Sequence, residues 1–464
     1  MASPPPHGRA VARAAVVTHP ASYPLVGRSP DAVLFRLPGR DVNAAEFLRA
    51  AHDLAAALPP GANIVNLCRD RFAFAVGIAA AILRGQVSLL TTDRSPVGLR
   101  RLAERYPGLC SFADDPAVAS PLPHRTLRPG TGPSGGEAAN PMIPAGHLAA
   151  IVFTSGSTGE PVGHRKSWGQ LATRSEDAGR RFGMTRSAPA SVVGMVPPQH
   201  MYGFETTVLL PWHAHAAAWC GDSFYPADVR AALAEMPEPR VLVTTPLQIR
   251  ALLESGLALP RLERVISATA PLFADLAATA EQGWNTQVEE IFGATEVGSI
   301  ASRRTVEGDI WRAYPRVRLS ASPSEPEPLV TAPHAVPFAL SDHIEALDGT
   351  RFRLLGRRTD LIKLGGRRAS LAGLSRILTG LEGVLDGVFV APDDLEQRPN
   401  ARLAAFVVAP GRDPEALLAE LRERIDPVFL PRRLVAVGEL PRNDVGKITA
   451  DAARALRDRL AGAE

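Results

Sequence analysis

The sequence predicts an α/β protein, with a large N-terminal domain of parallel and mixed sheets flanked by helices and a small, mobile α+β C-terminal lid. Three observations predict it. Short apolar runs alternate with helix-length stretches, the pattern of a doubly wound sheet. The 464 residues exceed what one hydrophobic core serves. The texture also changes near residue 358, dividing the chain into 1–357 and a compact unit at 358–464.

The elements follow in order. Residues 44–58 form an amphipathic helical stretch stopped by Pro59, Pro60 and Gly61. Residues 63–68 make a short apolar strand, 72–83 an apolar helix ending at Arg84-Gly85, and 87–90 the next strand. Residues 114–146 are rich in Pro, Gly and Ser and read as a loop. A second series of strands is expected at 149–153, 191–196, 240–244 and 265–267, with helices at 168–181 and 228–235 between them. Beyond 358, a helix at 370–381, strands at 384–391 and 402–409 and a capped helix at 413–425 suggest a βαβ-like unit.

Composition excludes several classes of function. Charged residues are 21% and hydrophobic residues 45%, ordinary for a globular chain. The charge balance of 51 − 48 = +3 points to neither nucleic acid nor an anionic membrane, and clusters such as Arg303-Arg304 read as solvated faces. The longest apolar stretch, 72–83, is too short to insert into a bilayer. Residues 1–13 carry no apolar secretory core, so a cytoplasmic location is expected. Cys68, Cys110 and Cys220 lack metal-ligand spacing and read as small core residues in a reducing compartment.

The first chemical signal is Thr154-Ser155-Gly156-Ser157-Thr158-Gly159-Glu160-Pro161, directly after the strand at 149–153. Its glycines let backbone N–H groups close on an anion, and the hydroxyls of Thr154, Ser155, Ser157 and Thr158 add donors. His164, Arg165 and Lys166 supply positive charge nearby. No Gly-Lys-Ser/Thr follows at Walker A spacing.

This loop resembles the phosphate-binding signature of the adenylate-forming (ANL) superfamily, the AMP-dependent acyl and aryl ligases. That family places a lysine after the loop proline; here the position is Val162, leaving Lys166 or Arg165 as replacements. Further stretches match in the family's order. Phe292-Gly293-Ala294-Thr295-Glu296 is similar to its aromatic-Gly-x-Thr-Glu motif. Ser341-Asp342 keeps the aspartate of its Thr-Gly-Asp motif, 355–367 matches its hinge segment, and 440–448 its C-terminal lysine signature.

The resemblance implies ATP and Mg²⁺ as cofactors. Thr154, Ser155, Gly156, Ser157, Thr158 and Gly159 would cradle phosphates, with Ala270, Pro271, Phe292, Gly293, Asp342 and Arg357 at the nucleotide. Thr295 and Glu296 would be catalytic, Glu296 holding the metal, for which a carboxylate is a suitable hard ligand. Lys447 would drive adenylation, bridging the acid's carboxylate and the α-phosphate, and Asp360 would be the hinge about which the lid turns. The product acyl-adenylate would pass to a phosphopantetheine thiol, on CoA or on an acyl carrier protein.

The acid would sit among His200, Tyr202, Phe204, Ser267, Ala268 and Gly298, with His200 also catalytic. The His200, Tyr202, Thr206 pattern is similar to that of coumarate-type ligases, which favours an aryl acid such as a hydroxybenzoate or cinnamate over a fatty acid. Val162 and Leu340-Ser341, where the family has lysine and Thr-Gly, motivate the alternative: a non-catalytic nucleotide-binding homologue acting as an accessory subunit.

Overall fold

The computed structural model describes residues 19–130, 138–155, 161–320, 327–357, 361–364, 367–392 and 402–442, together with 448, 452, 455, 456 and 458. Two large sheets dominate the N-terminal body. One has six strands in the spatial order Pro161–Ser167, Leu148–Ser155, Val87–Leu90, Asn63–Asn66, Cys110–Ala113 and His124–Thr126. All its pairings are parallel except the first, an antiparallel hairpin at the edge.

The second sheet has eleven strands and is mixed. Its centre is parallel, formed by Ala216–Trp219, Ala190–Gly194, Arg240–Thr244, Arg264–Ser267 and Gln287–Ala294. From there it continues antiparallel through Gly298–Arg304, Ile310–Ala313, Arg351–Arg357 and Asp342–Ala346. Helix Arg71–Leu83 is apolar all round, and its residues Phe72 to Ile82 are buried, as an all-apolar helix requires. Asp70 caps it by accepting the Ala73 N–H at 2.6 Å. Helix Ala44–Ala57 is amphipathic and starts on a capping box of Asn43 and Glu46.

Two expectations change. The stretch 114–146 contributes two strands: His124–Thr126 at the edge of the six-stranded sheet, and Met142–Pro144, which pairs with Ser22–Pro24 in a separate two-stranded sheet, each satisfying backbone groups. The Arg303-Arg304 pair is not a solvated face. Antiparallel register sets Glu290 opposite Arg303 and Glu289 opposite Arg304. The buried Glu290 carboxylate accepts two Arg303 N–H bonds, at 2.8 and 2.9 Å, and the guanidinium lies 4.6 Å from the Trp311 ring centroid. Arg304 pairs with Glu281 and Glu307.

The C-terminal part has a core of its own, built around Leu374, Leu378, Phe389, Val407, Leu417 and Leu421. Strands Ala404–Val408 and Leu434–Ala436 run parallel with helix Pro414–Arg422 between them, the expected βαβ-like unit. Asp386–Val390 adds an antiparallel strand. All three cysteines are free and buried, and burial pushes their thiols up. Among the described residues, no helix is long and apolar enough to cross a membrane.

Candidate active site

The edge hairpin of the six-stranded sheet is where the phosphate loop begins and ends. Ser155 pairs with Pro161 and Thr154 with Val162. Gly156, Ser157, Thr158 and Gly159 lie outside the described residues. Alternation along Pro161–Ser167 puts Val162, His164 and Lys166 on one face and Arg165 on the other. His164 Nε2 lies 3.1 Å from Thr154 Oγ1 and 4.0 Å from a Glu296 carboxylate oxygen. The structure thus brings Thr154 and Glu296, 142 residues apart in the chain (296 − 154), to the same ring nitrogen of one imidazole.

The two proposed replacements for the missing loop lysine are placed differently. Arg165 is exposed on the far face of its strand. Lys166 is fully buried, and its Nζ donates to the Glu296 main-chain carbonyl at 2.7 Å. Burial lowers its ammonium to about 8, against the opposing pull of Glu205 and Glu296. Burial likewise lowers His164, which favours the neutral ring.

Thr295 and Glu296 sit in the turn between strands Gln287–Ala294 and Gly298–Arg304. That turn is held from outside. Besides Lys166, Gln170 Nε2 donates to the Val297 carbonyl at 3.3 Å, and Glu205 accepts the Ser299 N–H at 3.1 Å and its hydroxyl at 2.5 Å. Gly298 has φ +82, and a Cβ there would lie 2.3 Å from Glu205 Oε1. A Cβ on Gly293 would meet the Gly298 carbonyl at 2.8 Å, so the hairpin closes this tightly only with glycine at both positions. Phe292 packs on Trp311 and Phe352, with ring centroids 5.6 and 5.8 Å away. The Glu296 side chain remains one-third exposed, open to a ligand.

Ser267, at the end of strand Arg264–Ser267, is fully buried with its hydroxyl unpaired. Ala268 follows, buried, and Thr269 is held at φ +78, a strained conformation for a β-branched residue. Ala270 is half-buried and Pro271 exposed. The following Leu272 N–H is anchored on Glu290 at 2.9 Å.

His200 caps the short helix Met201–Gly203, its Nδ1 accepting the Tyr202 N–H at 3.4 Å. The chain continues as a π-helix, Phe204–Leu209, a form concentrated at functional sites. Phe204 is packed wholly into the core, so its ring belongs to the protein interior rather than to an open wall. Tyr202 is also buried. Its hydroxyl donates to the Ile266 carbonyl at 2.9 Å, with the Thr244 carbonyl at 3.2 Å, which ties this segment to the strands Arg240–Thr244 and Arg264–Ser267.

Asp342 is buried and pairs in register with Arg357 on the neighbouring strand, bringing the two predicted ribose residues side by side. Asp360 and Lys447 lie outside the described residues. Among the described residues there is no group of three or more His, Cys, Asp or Glu side chains that could hold a metal. A single carboxylate, Glu296, with a hydroxyl nearby fits an ion held mainly through phosphate oxygens.

Sequence reasoning did not select Arg174, Glu205, Ser299 or Tyr314, all buried around this turn. The available signal was a charged residue inside an otherwise core-like run, Glu205 between Phe204 and Val208.

Comparisons with known proteins agree with this geometry. A family model described as AMP-binding enzyme matches residues 62–324. A 4-coumarate--CoA ligase of Halorhodospira halophila is 32% identical over 318 residues, covering 65% of this chain and 75% of that protein. The ATP-bound structure of MatB from Rhodopseudomonas palustris superposes with a TM-score of 0.77 at 21% identity, covering 93% of this chain and 97% of that one. An O-succinylbenzoate coenzyme A synthetase from Bacillus subtilis, in complex with AMP, superposes with a TM-score of 0.75 at 17% identity, covering 91% and 95%. The last two likenesses bear on fold alone.

Proposed function

Since the chain belongs to the AMP-binding enzyme family and is an ATP-dependent, AMP-forming acid–thiol ligase, we propose that its substrate is an aryl acid. In this reading the acid is converted to an aryl-adenylate and then to a thioester on phosphopantetheine, carried by CoA or by an acyl carrier protein. The observation that carries it is the convergence of Thr154, His164 and Glu296, with Lys166 holding the Glu296 carbonyl.

A carboxylate attacking the α-phosphate of ATP brings two anions together, so the site must present donors and positive charge where charge develops. The hydroxyls and N–H groups of 154–159 are assigned to the phosphates, and Asp342 with Arg357 to the ribose. Glu296 and Thr154 would hold Mg²⁺, which when bound neutralises phosphate charge. Lys447 is assigned the bridge between the substrate carboxylate and the α-phosphate, with residues 358–464 turning about Asp360 between the two half-reactions. His200, Ser267 and Ala268 are assigned to the acid. The unpaired Ser267 hydroxyl supports that placement, since a buried hydroxyl without a partner is costly unless a ligand completes it.

Acid-dependent exchange of labelled pyrophosphate into ATP tests the reading. Exchange should respond to aryl acids over fatty acids and fall by roughly 10²–10³-fold in Lys447→Ala. Nucleotide binding by calorimetry without exchange for any acid would favour the accessory-subunit alternative instead. Exposed Val162, in place of a loop lysine, is the feature that supports that alternative.

A further inference from the structure

Away from the Thr295-Glu296 turn, the eleven-stranded sheet carries a recess of about 480 Å³ bordered by Arg180, Arg181, Arg312 and Arg351. No acidic side chain borders it. Arg351 and Arg357 are the two ends of strand Arg351–Arg357. At roughly 3.3 Å per residue, the recess lies about 20 Å from the Asp342–Arg357 pair. Arg180 and Arg181 come from the last turn of helix Trp168–Arg181, where exposed carbonyls favour cations.

The charges in this recess are arranged against one another. Antiparallel register sets Arg312 directly opposite Arg351, and like charges so placed destabilise a ladder. Arg181 is tied to the same ladder: Nε donates to Ser302 Oγ at 2.7 Å, and Ser302 pairs in register with Arg312. The nearest carboxylates are already engaged. Arg180 comes only within 3.8 Å of Asp177 and 3.9 Å of Glu176, and both accept from Arg316 at 2.8 Å. Arg181 stands 3.7 Å from Glu289, which accepts from Arg264 and Ser302. Asp348 holds Arg351 at 2.7 Å. The exposed Arg312 guanidinium has no hydrogen-bond or ion-pair partner among the described residues.

We propose that this recess is a second anion site, which takes a small diphosphate-bearing molecule: free pyrophosphate or the diphosphate of an adenine nucleotide. A guanidinium fork meets two phosphate oxygens at once, and a multiply charged ligand bridging Arg312 and Arg351 turns their repulsion into attraction. The volume is that of a small-molecule site. The donors converge on a concavity, whereas a nucleic acid or an acidic protein face would need them spread along a surface. A net charge of +3 gives the chain no general attraction for polyanions. The site stands apart from the residues assigned to adenylation and does not depend on that assignment.

Calorimetric titration of the full chain with pyrophosphate, ADP and citrate, in EDTA at low ionic strength, tests the proposal. Pyrophosphate should bind without metal. Its affinity should fall about tenfold in Arg312→Gln, as expected for losing one charged donor, and binding should vanish in Arg312→Gln/Arg351→Gln. Mg²⁺-dependent ATP binding, the signal of the other site, should be unchanged in both variants. Tighter binding of ADP than of pyrophosphate makes the nucleotide the occupant; equal or weaker binding makes it the free anion. Either result upholds the site. No metal-free binding, or the same binding in wild type and double variant, overturns it. So does citrate binding as tightly as pyrophosphate, which would reduce the recess to an unselective basic patch. If a thermal melt shows the double variant unfolded, Arg312→Gln decides, since that side chain is exposed and unpaired.

Discussion

Two buried carboxylates on either side of one hairpin show how differently a protein handles interior charge. Glu290 is saturated: Arg303 gives it two N–H bonds, Leu272 a main-chain N–H, and Thr305 lies within 3.5 Å. Glu205 is also filled, but the cation beside it, Arg174, keeps two donors without partners, and Tyr314 keeps its hydroxyl. The first arrangement is complete in the protein alone, whereas the second leaves Arg174 Nε and Nη1, the Tyr314 hydroxyl and Asp177 Oδ2 without hydrogen-bond partners. Buried polar groups left unmatched are costly to folding.

Removing a partner should separate the two corners. Arg303→Met strands a buried carboxylate and should destabilise by about 3–5 kcal/mol in chemical denaturation. Arg174→Met should cost less than that, because Nε and Nη1 make no hydrogen bonds and what is lost is the charge beside Glu205 and Asp177. Equal losses would break the comparison.

Lys166 supplies the next largest effect. The folded chain gives up this proton near pH 8, whereas the unfolded chain holds it to about 10.5. The unfolded state then binds more protons between those values, so stability rises with pH across that window. The buried ammonium costs stability below pH 8, and the cost is gone above 10.5. Relative to Lys166→Met, the wild type should gain about 3 kcal/mol across this range. A flat difference curve would show that Lys166 titrates normally.

Gly298→Ala comes next. It forces a Cβ against Glu205 at a positive φ and should cost about 1–3 kcal/mol while disturbing the Glu296 turn. Tyr314→Phe is the smallest perturbation. It removes a hydroxyl that bonds to nothing in the protein, so stability should change by no more than about 0.5 kcal/mol. A larger loss would mean that the hydroxyl has a structural partner.

Much of the fold was legible because local patterns were strong. The strand at 87–90 and the strand at 240–244 match the observed elements, and helix 72–83 differs by a single residue at its start. The hairpin ladder after Gln287 was not legible, since its strands mix Glu, Arg and Ser with apolar residues and owe their stability to cross-strand ion pairs. The π-helix at Phe204–Leu209 carries no periodic mark of its own.

The sequence by itself determined the class of chemistry. A hydroxyl-glycine loop, a Thr-Glu turn and an aspartate come in a fixed order, because each is a local backbone feature written in consecutive residues. Only the tertiary structure decided which cation serves which carboxylate. Lys166 looked like a phosphate ligand by its closeness to the loop, but strand alternation and burial turn it inward to the Glu296 carbonyl. Arg174 and Tyr314, 140 residues apart (314 − 174), meet at one cavity through packing. Distance along the chain carries no information about such contacts; the packed interior creates them.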